Sequence, residues 1–243
     1  MKYGIQFNTH HFREENLRKF AAAIDPAGAL ISNVVGFIDG TLQQVNRPST
    51  DDAMQKALYN GWKHLHVIKY QAIVTPDGIT SSLMGPVIGS THDKVAFSML
   101  ETERRLEKYL GLSENEEDQF VLYGDPAYIS ASPHVYTPFP SNTTDPIERE
   151  CNRSMSKVCI AVEWEFGEVM KHFAYAKYRY GMKTGGNNPA KIYILSTVSK
   201  NMLHCCRQGG YPTYSKLKLL PPTLEDYIHG MRRERIEGED DDE

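Results

Sequence analysis

Two short apolar runs each end beside an aspartate flanked by glycine, Ile38-Asp39-Gly40 and Tyr123-Gly124-Asp125. Both runs, Val34 to Ile38 and Phe120 to Tyr123, read as buried strands. In an open sheet, ligands gather outside the carboxyl ends of parallel strands, so two such neighbours would project both carboxylates into one crevice. Taken singly, Asp-Gly and Asp-Pro also begin ordinary turns. A third acid must come from the helical segment at about 147–173, which offers Glu163, Glu165 and Glu168. Its apolar stripe runs through Met155, Cys159, Val162, Phe166, Val169 and Phe173. At ~100° per residue, Glu163 and Glu165 each stand roughly 80° from the stripe's centre and Glu168 about 140°. Phase sets Glu168 aside and leaves the other two open. Three clustered carboxylates suit hard divalent cations, which take oxygen ligands and in pairs drive phosphodiester cleavage. Without a cation, such a cluster raises its own pKa values.

The elements that must position these acids follow from periodicity and turn signals. Leu17, Phe20, Ala21 and Ile24 mark a short helix over about 14–24, stopped by Asp25, Pro26 and Gly28. After the first strand, a polar loop holds Asn46, Arg47, Pro48, Asp51 and Asp52. Strands over 66–75 and 79–89 flank a Pro76-Asp77-Gly78 hairpin turn. One amphipathic helix is expected over 93–110, with Phe97, Leu100, Leu106 and Leu110 on its apolar face. A Pro- and Ser-rich stretch over 132–146 leads into the long helix, and a last helix spans about 189–206. The order is α/β.

At 243 residues and 40% hydrophobic content the chain can bury one catalytic-sized core. The net charge is -4, and the stretch 232–243 accounts for it, holding three Arg and seven acids, so the rest is neutral. A free-standing DNA binder would be strongly basic, so any nucleic-acid contact must come from a local patch or a partner. Cys151, Cys159, Cys205 and Cys206 fit neither a zinc pattern nor a secreted disulfide framework, and read as reduced thiols. No stretch reads as a signal peptide or a membrane span, so membrane partners are not expected.

Several ordered segments carry a family likeness: Gly36-Phe37-Ile38-Asp39-Gly40-Thr41, Tyr59-Asn60-Gly61-Trp62-Lys63, His66-Val67-Ile68-Lys69-Tyr70-Gln71, Gly85-Pro86, His92-Asp93, Leu122-Tyr123-Gly124-Asp125-Pro126-Ala127-Tyr128, Met155-Ser156 and Val162-Glu163-Trp164-Glu165-Phe166-Gly167. Over roughly 30–225 the chain resembles the PIF/Harbinger-type transposases and their domesticated nuclease-like relatives. The resemblance implies an RNase H-like mixed sheet flanked by helices, with a two-metal DDE nuclease site. Its acids would be Asp39, Asp125 and Glu163, the glutamate directly after the valine. They would hold Mg2+ or Mn2+ and cleave DNA, in the nucleus. His92-Asp93 also matches, and Asp93 reads preferentially as an N-cap, otherwise as an accessory acid. Cys159 stands where the family usually has arginine.

The expected division is a helical remnant over 1–30, the catalytic domain over 31–225 and a charged, disordered tail over 226–243. No helix-turn-helix of the kind full-length relatives carry is legible. That fits a degenerate copy, a fragment or a nuclease domain that borrows recognition from a separate DNA-binding partner. Arg47, Lys63, His64 and Lys69 are candidates to meet phosphates. The alternative function is a domesticated interaction module that keeps the fold without catalysis.

Overall fold

A computed structural model describes residues 3–5, 11–24, 31, 33–49, 51–111, 119–183, 186–208 and 219–232, with the side chains of 3, 4, 158–165 and 232 outside that description. Its first half comprises β1 (Tyr3–Ile5), α1 (Glu14–Ile24), β2 (Val34–Gln44), α2 (Asp52–Leu58), β3 (Tyr59–Asn60), β4 (Leu65–Val74) and β5 (Thr80–Ile88). The second half comprises α3 (Asp93–Met99), α4 (Thr102–Leu110), β6 (Val121–Gly124), β7 (Val135–Tyr136), α5 (Pro146–His172), α6 (Ala174–Lys177), α7 (Pro189–Arg207) and α8 (Leu224–Arg232).

Strands run in the order β1-β5-β4-β2-β6-β7, and β3 pairs with β4. The pairs β1–β5, β5–β4 and β4–β2 are antiparallel, whereas β6 lies parallel to β2 and β7 parallel to β6. A meander continued by two strands parallel to its first is the RNase H-like arrangement. Helices cover both faces. Strands covered on both sides are buried on both, and Val34 to Ile38 and Val67 to Val74 are buried without alternation.

One face is packed by α1, α3 and α4, whose Leu17, Phe20, Phe97 and Leu106 meet Val35, Ile38, Ile73 and Leu122. On the other face, Met155 of α5 joins Phe37, Val74 and Tyr123, while Val169 and Tyr193 of α5 and α7 join Tyr70 and Ala72. Each fully buried large side chain contributes about 1.5–3 kcal/mol. Helix α1 buries Leu17, Phe20 and Ile24 and shares this core. On its solvent side, Glu14–Arg18 and Glu15–Lys19 pair at 2.7 and 2.6 Å, at the i,i+4 spacing that makes helical side chains neighbours. Two long helices start alike: Asp145 accepts from the Ile147 amide ahead of α5 and Asn188 from the Lys191 amide ahead of α7, each with proline next. At the other end of the chain, α8 buries Tyr227, whose hydroxyl accepts from Asn201 Nδ2 at 2.9 Å. Among the described residues no helix is long and apolar enough to cross a membrane.

Three expectations are corrected. The first strand does not stop at Ile38 but continues through Asp39 to Gln44. The polar loop after it closes into α2, where Asp51 accepts from the Met54 amide at 2.9 Å. The single helix over 93–110 is two helices, broken where Glu101 takes φ 53. Past the break, buried Thr102 donates to Gln71, which in turn donates to the Tyr128 hydroxyl at 3.4 Å. A straight helix would lose that buried polar chain, and buried hydroxyls need partners.

The β4–β5 turn holds a second polar cluster. Asp77 Oδ2 lies 3.3 Å from His11 Nε2, Thr75 donates to Asp77 Oδ1 at 2.7 Å, and Lys200 Nζ donates to the Gly78 carbonyl at 3.3 Å. Burial pushes the Asp77 carboxyl up, but the His11 ring, the Thr75 hydroxyl and the Ile79 amide outweigh it, and its pKa falls below the usual value. Burial brings the Lys200 amine down to about 7, against a smaller upward pull from Asp77. A lysine lowered on folding binds fewer protons folded than unfolded above about 7, so its share of stability rises with pH toward the ordinary value of 10.5. Unfolding titrations should therefore show wild type gaining on Lys200→Met across that window. A constant difference between the two would mean that Lys200 stays charged inside.

Candidate active site

Parallel pairing aligns Phe37 with Tyr123 and Ile38 with Gly124. At that point β6 ends, and Asp125 leads into a 3-10 turn over Pro126–Tyr128. Strand β2 runs on, paired from Gly40 to Gln44 only on its β4 side. Asp39 and Asp125 therefore occupy the next step of the register, on strands about 4.8 Å apart. The opening arises from the end of β6, since Asp39 lies inside its strand. Both aspartates line one crevice of about 580 Å3, together with Asp93 and Lys69.

Local bonds orient each acid. Asp39 Oδ1 accepts from the Gly40 amide at 2.6 Å, and Asp125 Oδ1 from the Ala127 amide at 3.0 Å. Three residues past Asp125, fully buried Tyr128 meets Phe97 edge-on at 6.1 Å and anchors the turn. The pleat places Asp39 on the face that carries Phe37 and Thr41. Thr41 bonds the Tyr193 hydroxyl at 2.9 Å, and Tyr193 stacks on Tyr70 at 4.8 Å, which holds α7 against that face.

Asp93 is the residue that local sequence misassigned. It does not cap α3: the N-cap is His92, which makes no side-chain cap bond. Its carboxylate instead reaches β2, where a Cβ on Gly40 would stand 2.3 Å from Asp93 Oδ1. Lys69, expected at a phosphate, is turned inward and donates to Asp93 Oδ1 at 3.0 Å and to the Thr91 carbonyl at 2.9 Å. Desolvation by the crevice wall pushes the Asp125 carboxyl up. The Ala127 amide opposes it, the Asp93 charge adds to it, Lys69 subtracts, and the net shift is upward. Burial raises the Tyr128 phenol, and the charges of Asp93, Asp39 and Asp125 raise it further. A single buried ring thus feels all three acids.

The expected third acid, Glu163, lies on α5, and its side chain falls outside the described residues, as do those of Glu165 and Cys159. Its position on the helix is between Met155 and Phe166, both packed on the Phe37, Val74 and Tyr123 cluster of the face that Asp39 shares. Glu168, which phase set aside, is ion-paired with Lys171 and hydrogen-bonded to the His172 ring, each at 3.1 Å. Among the described residues no group of three or more His, Cys, Asp or Glu has the geometry to hold a metal ion. The donor set formed by Asp39, Asp93 and Asp125 is nonetheless all oxygen, the chemistry that hard divalent cations take. Exposed Trp62 and Lys63 stand on the wall of the same crevice.

A mixed, helix-flanked α/β sheet of RNase H-like arrangement places Asp39 and Asp125 just past the last paired residues of two parallel strands. The family model described as DDE superfamily endonuclease matches residues 38–207, and the chain belongs to that family. No curated protein and no solved structure matches it.

The contact under Gly40 is testable by a double-mutant cycle. Gly40→Ala should cost about 1–3 kcal/mol by overpacking, and much less in an Asp93→Ala background, as read by denaturant unfolding. Equal costs in both backgrounds would remove Asp93 from beneath β2.

Proposed function

We propose that this chain is a PIF/Harbinger-type nuclease domain that hydrolyses phosphodiester bonds in DNA with Mg2+ or Mn2+ held by Asp39, Asp125 and Glu163, with Asp93 beside them. The observation that carries the reading is the register step after Ile38 and Gly124, which brings Asp39 and Asp125 to one opening in a chain of the DDE endonuclease family. When bound, a pair of such cations would supply an activated nucleophile and stabilise the leaving oxygen.

The protein's own residues prepare that site. Lys69 holds the Asp93 carboxylate and offsets one of the crevice's negative charges. With its pKa raised, Asp125 keeps a proton to higher pH than an ordinary carboxyl, and a cation arriving there competes with that proton. Lys63 and Trp62, on the wall, are available to a nucleic-acid strand lying over the acids. With a net charge of -4, duplex affinity should be weak, sequence-tolerant and steeply salt-dependent. Specific targeting then falls to a separate DNA-binding partner, and a DNA substrate fits a nuclear location.

Cleavage assays test the reading. Plasmid DNA should be nicked in Mg2+ or Mn2+ and left intact in EDTA. Asp39→Ala, Asp125→Ala and Glu163→Ala should each abolish nicking while retaining the fold, and Glu165→Ala and Glu168→Ala should keep it. Loss in Glu165→Ala equal to that in Glu163→Ala would move the third acid. A wild-type protein that neither nicks DNA nor binds divalent cations would be a domesticated interaction module.

A further inference from the structure

Between Glu168 and Glu225 the sequence holds nine Lys and Arg residues and no Asp or Glu, within a chain whose net charge is -4. The first part of this stretch folds as the end of α5, then α6, then a 3-10 turn over Arg179–Gly181. It displays three tyrosines, Tyr175, Tyr178 and Tyr180, which are 53%, 55% and 55% exposed. Tyr70, Tyr128 and Tyr193, by contrast, are buried in the core. Among the exposed rings stand the exposed cations Lys177, Arg179 and Lys183.

The rings are held in place before any ligand arrives. Tyr178 and Tyr180 meet edge-on at 5.9 Å, and the Arg179 guanidinium sits 4.7 Å over the Tyr180 ring. Asn187 Nδ2 donates to the Tyr175 hydroxyl at 3.2 Å and to the Gly181 carbonyl at 2.7 Å. Beneath them, Ala176 and Met182 are fully buried. The Met182 carbonyl accepts from the Asn46 amide at 3.0 Å and its sulfur from Gln43 Nε2 at 3.4 Å. This surface is thus pinned to the far end of β2, ~13 Å along the strand from Asp39 at ~3.3 Å per residue.

Exposed aromatic rings interleaved with cations and free of acids match single-stranded nucleic acid: the rings stack on unpaired bases while the cations follow the phosphates. A duplex would keep its bases stacked and leave the rings unused. A protein partner could also bury tyrosine and arginine, but a stretch of sequence rich in cations and without an acid favours a polyanion. We propose that Tyr175, Tyr178 and Tyr180, with Lys177, Arg179 and Lys183, form a stacking platform for single-stranded DNA outside the acid crevice. The proposal rests on the reading that DNA is the substrate, and adds that an unpaired strand is held beside the site.

Fluorescence anisotropy with labelled oligo(dT), in EDTA so that no cleavage intervenes, tests it. Tyr178→Ala and Tyr180→Ala should each weaken binding about five- to a hundredfold, Tyr178→Phe should bind as wild type does, and Arg179→Glu should weaken binding with the circular dichroism unchanged. Lys177→Ala should lower the salt slope by about 0.7, one phosphate contact on a single strand. A Tyr178→Ala/Tyr180→Ala double variant that binds oligo(dT) as tightly as wild type overturns the platform and gives the tyrosines to a protein partner. Wild-type protein that nicks DNA in Mg2+ yet ignores oligo(dT) overturns the platform alone. Tyrosine-dependent oligo(dT) binding without nicking keeps the platform and removes the nuclease reading.

Discussion

Parallel pairing between β2 and β6 ends at Ile38 and Gly124 while β2 continues to Gln44, and the site is a consequence of that mismatch in length. A β6 longer by a turn's worth of residues would cover the β2 edge and close the crevice. Because it stops, Asp125 is turned outward by the 3-10 segment, and Asp39 faces an opening instead of a neighbouring strand. The same stretch of β2 carries Gly40, and the missing side chain there is the space the Asp93 carboxylate occupies. Anchors for this arrangement lie in the core: Tyr128 under the turn, Gln71 and Thr102 beneath Tyr128, and the Tyr70–Tyr193 stack on the opposite face.

Two groups of ionisable residues in this fold behave oppositely. Asp77 is fully enclosed and yet has a lowered pKa, since a histidine, a hydroxyl and an amide all serve its charged form. Asp125 stands at an exposed position and has a raised one, since the wall desolvates it and its acidic neighbour repels it. Burial alone would have ordered them the other way. The satisfied acid ties the β4–β5 turn to His11 and sits beside Lys200 and His204, which is a structural duty. The exposed one lines the same crevice as Asp39, Asp93 and Lys69, and a raised carboxyl in a crevice marks a functional position rather than a structural one.

Much of this was legible in the sequence, and the exceptions have physical causes. Long periodic segments, such as α1, α5 and α7, and the β4–β5 hairpin declare themselves through burial patterns that local composition reveals. The neighbouring placement of Asp39 and Asp125 followed from two apolar runs with like endings. Strands β1 and β7, of three and two residues, are too short for any period and exist only through the strands they pair with. The break between α3 and α4 is invisible to periodicity because Leu100, Leu106 and Leu110 remain buried across it. Asp93 after His92 looks the same locally whether it caps a helix or reaches across to β2. What decides is Gly40, distant in sequence. The tyrosine platform escaped because each residue in it is ordinary, and only the unbroken absence of acids marks the stretch.

Titration of Mn2+ into the protein by calorimetry tests the convergence of carboxylates most directly, because it asks for the cation and not for turnover. Saturable binding is expected, lost in Asp39→Asn and in Asp125→Asn while both variants keep the wild-type fold. Saturable binding of unchanged affinity in those two variants, or none in the wild type, would contradict it.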